Sequence, residues 1–148
     1  EATMKLKILA IREPNGLSVL APQHAALAMS VEAKADRECF WVLHLSSCQK
    51  VIEKELVAIG TINSALIHPR EVFKKAIISS AVTIITVHNH PSGNLTPSPE
   101  DEILWRRLDR AGKLIGIATL DHIIVGPAGG YFSRRENSGK DVRFCSGT

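Results

Sequence analysis

VTIITVHNHPSGNLTPSPED, residues 82–101, combines a strand, a loop and a helix start, and it carries the clearest chemical signal in the chain. The β-branched run Val82–Val87 predicts a strand that is buried on both faces, and it ends in His88 and His90. A loop rich in Pro, Gly, Ser and Asn follows, and Asp101 falls in the first turn of a predicted helix. Two imidazoles and a carboxylate are the ligand set of a three-ligand metal site, a type of site that keeps a fourth position open for water. The stretch therefore predicts a zinc-dependent hydrolase.

The spacing of the three side chains permits a shared metal ion. Residues i and i+2 of a strand share a face, so His88 and His90 can converge; two hydrogen-bonded core histidines are the alternative. Ser98, Pro99 and Asp101 also fit the N-cap, N1 and N3 positions of a helix, so the acid could serve only as a cap. The two roles are compatible, because a helix start fixes the direction of Asp101. The Ser98 hydroxyl could cap the helix or contact a bound water or oxyanion.

A zinc hydrolase also needs a base that takes a proton from water, and Glu38 is our candidate. It stands at the head of a predicted strand, and it comes near the histidines if that strand pairs antiparallel with residues 82–87. An exposed acid at a strand entrance is the alternative. Three other glutamates compete for this role but have simpler explanations. Glu71 is a helix-dipole partner, and Glu53 and Glu55 are solvated strand residues.

Composition places the chain among ordinary globular domains, with 148 residues of which 45% are hydrophobic and 22% are charged. No apolar run approaches the roughly 20 residues needed to span a bilayer. Since a signal-peptide layout is also absent, we expect a cytoplasmic protein without membrane contact. The 3 cysteines lack a CxxC spacing and predict free thiols. The net charge of +3 permits contact with nucleic acid without arguing for it.

The order of the predicted elements indicates an α/β or α+β fold, a mixed β-sheet flanked by helices. Ala25, Met29 and Ala33 recur at helical spacing and predict a helix after Pro22. His122 lies in an apolar strand and is predicted to be a hydrogen-bonded core histidine; a group that supports the metal site or contacts the substrate is the alternative. The other predicted elements are an edge strand at 4–11, a strand at 39–47 with a hairpin partner at 51–60, a helix from 69, a helix after 98 with an apolar face of Ile103, Leu104, Leu108 and Ala111 and a break at Gly112 to Gly116, and a closing strand at 117–126.

The sequence His88-Asn89-His90-Pro91, followed by Ser98 and Asp101, resembles the JAMM motif of the MPN (Mov34/JAB) metalloprotease superfamily. The wider context is similar to its bacterial RadC branch, in the stretches RECF at 37–40, GTINSALIHPREVFKKAI at 60–77, HNHPSG at 88–93 and LDHIIVG at 120–126. The resemblance implies a sheet-and-helix layout related to that of cytidine deaminases. It covers roughly residues 24–133, most of the chain, so chance similarity is a poor explanation.

This resemblance implies a role for each candidate residue. It implies one zinc ion per chain held by His88, His90 and Asp101, with Glu38 as the catalytic glutamate and Ser98 as the serine that helps to hold the intermediate. It also implies a RadC-like JAB/MPN domain at 24–133, while the residues on either side predict an N-terminal strand and turn at 1–23 and a polar tail at 134–148. Because a helix-hairpin-helix-like N-terminal module is absent from the sequence, we expect the catalytic-type domain by itself or a short family member.

One departure from the motif concerns the substrate. Peptidase members of the superfamily commonly carry Ser or Thr between the two histidines, whereas this chain carries Asn89, as is usual for the RadC branch. The metal ligands survive this change. A ubiquitin-like isopeptide as substrate is put in doubt by it.

Three classes of function compete. A zinc nucleobase deaminase is excluded, because its HxE and PCxxC elements are absent. A DNA-repair-associated accessory or DNA-binding protein with a structural or vestigial metal site is the second class, yet no basic stripe interleaved with aromatic residues supports it. A structural zinc site normally has four protein ligands, whereas three candidates occur here. We therefore predict a metallopeptidase or isopeptidase that acts on a peptide or protein substrate; the oligomeric state is not defined.

Overall fold

A five-stranded mixed sheet forms the centre of the computed structural model, which describes residues 16–139 and 143–144. The elements along the chain are α1 (Pro22–Ala28), a 3₁₀ turn (Glu32–Lys34), β1 (Cys39–Leu45), β2 (Val51–Ile59), α2 (Pro69–Ile78), β3 (Thr83–Asn89), α3 (Pro99–Ile115), β4 (Ala118–Val125), β5 (Tyr131–Ser133) and α4 (Arg134–Asn137). The strands lie in the order β2-β1-β3-β4-β5, with β3 and β4 parallel and the remaining neighbours antiparallel. The predicted mixed sheet with flanking helices is confirmed, and the edge strand predicted at 4–11 lies outside the described residues.

Each face of the sheet has its own buried core. One face packs against α2 and α3 through a cluster that includes Phe40, Phe73 and Leu104. The opposite face packs against α1 through a cluster that includes Met29 and Ile85. Central strand β3 supplies side chains to both cores, which confirms that it is buried on both faces.

The alternation of side chains along β3 sets the surroundings of its last residues. Ile84 belongs to the core under α2 and α3, and Ile85 belongs to the core under α1. Since successive side chains point to opposite faces, His88 shares the α2/α3 face, whereas Asn89 points toward the α1 side. The two residues therefore meet different neighbours, although they are adjacent in sequence.

Helices α1 and α3 differ from their predictions in extent. The predicted helix after Pro22 ends at Ala28 and continues as a turn and a 3₁₀ segment, while Ala25, Met29 and Ala33 are all buried as their spacing predicts. Ile103 is 57% exposed and does not belong to the apolar face of α3.

The break of α3 predicted at Gly112 to Gly116 is confirmed at Gly116 and wrong at Gly112. The helix runs on to Ile115, and Gly116 ends it with a positive φ of 88°. A Cβ atom on Gly112 would lie 2.4 Å from the carbonyl oxygen of Ile117 and 3.0 Å from Cζ of Phe73. This glycine is therefore explained by the close approach of α3 to the start of β4, and not by helix termination.

Replacing Gly112 by alanine should destabilise the fold, although Gly→Ala substitutions in helices usually stabilise it. Gly→Ala in an unobstructed helix stabilises by roughly 1 kcal/mol. We expect Gly112→Ala instead to lower the free energy of unfolding by about 1–3 kcal/mol, because the new methyl group overpacks the contact with Ile117. Urea denaturation measures the difference, with Lys113→Ala on the exposed neighbouring position as a control expected within about 0.5 kcal/mol of wild type. A stabilised Gly112→Ala variant would contradict the close packing.

The chain adds two short elements after β4. Strand β5 pairs antiparallel with β4, so the predicted closing strand is not the last strand of the sheet. Helix α4 lies within the segment predicted as a polar tail, and its Arg134 forms ion pairs with Glu102 and Asp109 of α3. None of the helices in the described part of the chain is long and apolar enough to cross a membrane.

Candidate metal centre

The candidate ligands come from two neighbouring elements. His88 lies in β3, and His90 follows directly, with its backbone N–H donating to the carbonyl of Val125 at 3.0 Å. Asp101 is the third residue of α3 and is buried against the end of the sheet. The parallel β3–β4 pairing fixes the two imidazoles, and the helix start fixes the carboxylate.

The three side chains converge on one point. His88 Nε2 lies 3.1 Å from His90 Nε2 and 3.2 Å from Asp101 Oδ1, and His90 Nε2 lies 3.6 Å from Asp101 Oδ2. Ligands about 2.0–2.1 Å from a tetrahedral zinc ion are about 3.3 Å from one another. The three separations are close to this value, with the two to Asp101 ending on its two different oxygens. The group could therefore hold one metal ion, and its two nitrogens and one oxygen suit zinc.

The two histidines are held in different ways. His90 Nδ1 lies 2.5 Å from the carbonyl oxygen of Asn94, and a proton on Nδ1 leaves Nε2 free to bind a metal. The His88 ring is fully buried between Phe40 and Trp105, with ring centroids 6.2 and 6.1 Å away. Its Nδ1 has no hydrogen-bond partner among the described residues, so aromatic packing, and not a hydrogen bond at Nδ1, orients the side of the ring that faces away from Asp101.

Asp101 caps its helix and faces the histidines at the same time. Its Oδ2 accepts a hydrogen bond from the backbone N–H of Ser98 at 2.8 Å, and its own N–H donates to Ser98 Oγ at 3.1 Å. This reciprocal capping box is the arrangement predicted for the helix start. It leaves Oδ1 directed at His88, so the cap and the metal cluster share one carboxylate.

The electrostatics of the cluster favour a cation. Burial disfavours the charged form of Asp101, but its hydrogen bonds to His88 and His90 outweigh burial and hold the pKa of this carboxyl well below its ordinary value. The hydrogen bond to Asp101 raises the pKa of His90 above its usual value, against the effect of burial. An ionised carboxylate beside two imidazoles therefore attracts a proton or a metal ion to the same place.

Glu38 lies beside the cluster, because β1 pairs antiparallel with β3, which is the condition on which its placement depended. Phe40 lies opposite His88, and Glu38 Oε1 reaches within 3.9 Å of His90 Nε2. Its Oε2 accepts a hydrogen bond from the Ile62 N–H at 3.4 Å. The competing glutamates have partners outside the cluster. Glu71 pairs with Arg70, Glu53 pairs with Lys75, and Glu55 pairs with His44.

An open cleft of about 620 Å³ gives access to the cluster. Glu38, His90, Ser98 and Asp101 line it, together with a wall formed by Thr61, Ile62 and Asn63, which was not predicted from the sequence. The predicted hairpin could have indicated this wall, because the second strand of a hairpin ends beside the start of the first. Ile59 at the end of β2 lies opposite Cys39, which is next to Glu38. The chain after β2 must therefore pass the site.

His122 is a core histidine, as predicted, and it does not belong to the metal cluster. Its Nδ1 lies 2.6 Å from Thr86 Oγ1, and its Nε2 lies 2.8 Å from Asp109 Oδ1. Asp109 also accepts from Arg134 at 2.6 Å, so this arginine is engaged within the fold. Burial lowers the pKa of His122 below its usual value despite the neighbouring carboxylate of Asp109.

The mixed sheet, the two histidines at the end of its central strand and the aspartate at the next helix start define a JAB-type domain with a potential metal centre. The chain belongs to the RadC-like JAB domain family, whose model matches residues 20–139.

Relatives within this family are similar over most of the chain. A UPF0758 protein of Desulforudis audaxviator is 50% identical over 110 residues, which are 74% of this chain and 48% of the relative. One from Staphylococcus carnosus is 47% identical over 124 residues, 78% of this chain and 55% of the relative. One from Symbiobacterium thermophilum is 50% identical over 117 residues, 79% of this chain and 46% of the relative. The chain thus spans about half the length of these curated relatives.

Proposed function

We propose that this chain is a zinc-dependent hydrolase that cleaves peptide or isopeptide bonds. The observation that carries the proposal is the convergence of three candidate ligands beside an open cleft, which His90, Asp101 and the neighbouring Glu38 carboxylate line. A structural zinc ion is normally enclosed by four protein ligands, whereas the cluster within the described residues has three. That arrangement favours a catalytic site over a structural one.

Each residue has a chemical task in this proposal. A bound zinc ion would supply Lewis-acid chemistry, polarising water and the substrate carbonyl. Glu38 accepts a proton from the attacking water and delivers it to the nitrogen that leaves when the C–N bond breaks. The Ser98 hydroxyl donates to the oxygen on which negative charge develops. Ser98 Oγ already accepts the Asp101 N–H, and no acceptor for its own proton occurs in the part of the chain that the structure describes.

A cleavage assay tests the proposal directly. The probes are a quenched-fluorescent peptide library and peptides joined through a lysine ε-amino isopeptide bond. We expect cleavage of at least one class by the zinc-loaded chain, its loss on chelation and its return when zinc is added. A chain that holds one zinc ion and cleaves neither class would overturn the proposal. The DNA-associated role, which stays a prediction, would then be tested by the fluorescence anisotropy of labelled single-stranded DNA.

A further inference from the structure

We infer that Asn89 is a positioning residue for Glu38, because its side-chain amide holds both peptide groups that flank the glutamate. We call this set of hydrogen bonds the Asn89 clamp. The catalytic consequence of the clamp rests on the proposed function of Glu38. The clamp itself can be measured without any substrate.

The contacts of Asn89 are all with the backbone of the segment that carries Glu38. Its Oδ1 accepts from the Cys39 N–H at 2.8 Å, and its Nδ2 donates to the carbonyl oxygens of Arg37 at 2.8 Å and Ala35 at 3.2 Å. If Oδ1 and Nδ2 were exchanged, the amide NH₂ would face the Cys39 N–H and the amide oxygen would face the two carbonyl oxygens. Neither arrangement allows a hydrogen bond, so the contacts fix the orientation of the amide. Asn89 is 1% exposed, and these three bonds satisfy a buried amide that would otherwise be costly.

The clamp begins where the sheet ends. The β1–β3 pairing stops at Phe40 and His88, and the Asn89 side chain takes the place of the next backbone partner for the Cys39 N–H. From the other side, the Gly60 N–H donates to the Glu38 carbonyl at 2.9 Å. The backbone of Glu38 is therefore held on both sides, by β2 through Gly60 and by β3 through Asn89.

The position of Asn89 links the base to the candidate ligands. It lies between His88 and His90 in sequence, but its side chain points to the opposite face of the sheet and away from the cleft. One three-residue segment thus presents two imidazoles on one face and fixes Glu38 from the other. The hydroxyl of a serine or threonine at this position, one bond from Cβ, could not make all three contacts.

The test compares Asn89→Ala with Thr86→Val, which removes a buried hydrogen bond from the same strand without touching Glu38. In Asn89→Ala we expect zinc affinity to stay within about threefold, since the clamp bonds none of the three ligands, and kcat on the cleaved probe to fall about 100-fold at a nearly constant KM. Exchange of the Cys39 amide hydrogen should accelerate about tenfold or more. In Thr86→Val, kcat and the exchange of this amide should stay near wild type.

Each readout can overturn the inference. Unchanged exchange at Cys39 in Asn89→Ala, or loss of zinc in parallel with activity, would show that Asn89 does not act on Glu38. If wild type cleaves neither probe, the proposed function fails, while exchange at Cys39 still decides the clamp. If Asn89→Ala does not fold, ¹⁵N-labelled wild type provides the test. The Asn89 side-chain amide should exchange about tenfold or more slowly compared with exposed Asn94, and equal rates would refute the clamp.

Discussion

The wild-type chain is expected to bind one zinc ion, and His88→Ala and Asp101→Asn are each expected to abolish that binding. The closest distances between the three side chains are 3.1 to 3.6 Å, and one ligand atom from each lies within 4.8 Å of the others, so each side chain can supply one corner of the same small site. Loss of a partner that only orients a ligand costs about 10–100-fold in metal affinity, and loss of a ligand should cost more. Mass spectrometry of untagged protein measures the metal content.

The choice of Asp101→Asn separates metal binding from helix capping. An asparagine oxygen can still accept the Ser98 N–H, so the start of α3 should be retained while the negative charge at His88 is lost. Ser98→Ala is the matched control, because it removes the hydrogen bond from the Asp101 N–H to Ser98 Oγ and leaves the Asp101 carboxylate in place. We expect Ser98→Ala to hold zinc with a modestly lower melting temperature. Zinc retained in His88→Ala at the wild-type stoichiometry would refute the three-ligand site.

Thermal unfolding gives a second readout of the same site. Free zinc at 100 times its Kd stabilises the folded state by about 2.7 kcal/mol if it binds only that state. For a domain of this size that corresponds to a rise in Tm of roughly 5–11 °C over chelated protein. The rise should disappear in His88→Ala and Asp101→Asn. A wild-type Tm that does not change when zinc is added up to this concentration would contradict specific binding.

The candidate ligands could be predicted because short-range rules place them. Strand alternation puts His88 and His90 on one face, and helix capping gives Asp101 a defined direction. Glu38 needed one long-range assumption, the antiparallel pairing of β1 with β3, which the register of the sheet confirms. Local sequence patterns thus carry most of the candidate site.

Features that depend on the approach of distant segments could not be predicted in this way. The three contacts of Asn89 join residues 50 to 54 positions apart, and no local pattern distinguishes this side chain from a turn asparagine. Gly112 looks like a helix breaker until Ile117 is found against it. Strand β5 spans only Tyr131–Ser133, which is too short for a period-two pattern to appear.

Glu38→Gln is expected to retain zinc and to lose hydrolysis, with kcat/KM lower by about 10²–10⁴-fold. Glutamine keeps the length of the side chain and an oxygen that can accept the Ile62 N–H, but it cannot take a proton from water at neutral pH. Glu38 lies 3.9 Å from the nearest ligand nitrogen, on His90, and is not a member of the ligand cluster. Zinc content should therefore stay at the wild-type value while turnover falls.

Glu100→Gln is the matched control for this substitution. Glu100 lines the same cleft and is exposed, so its replacement removes the same charge without removing the proposed base. We expect its kcat/KM to stay within a few-fold of wild type, since an exposed charge at the rim contributes little. If both variants lose activity equally, the cleft needs negative charge and not a proton acceptor at Glu38. If Glu38→Gln turns over at the wild-type rate, the base must be sought elsewhere in the cleft.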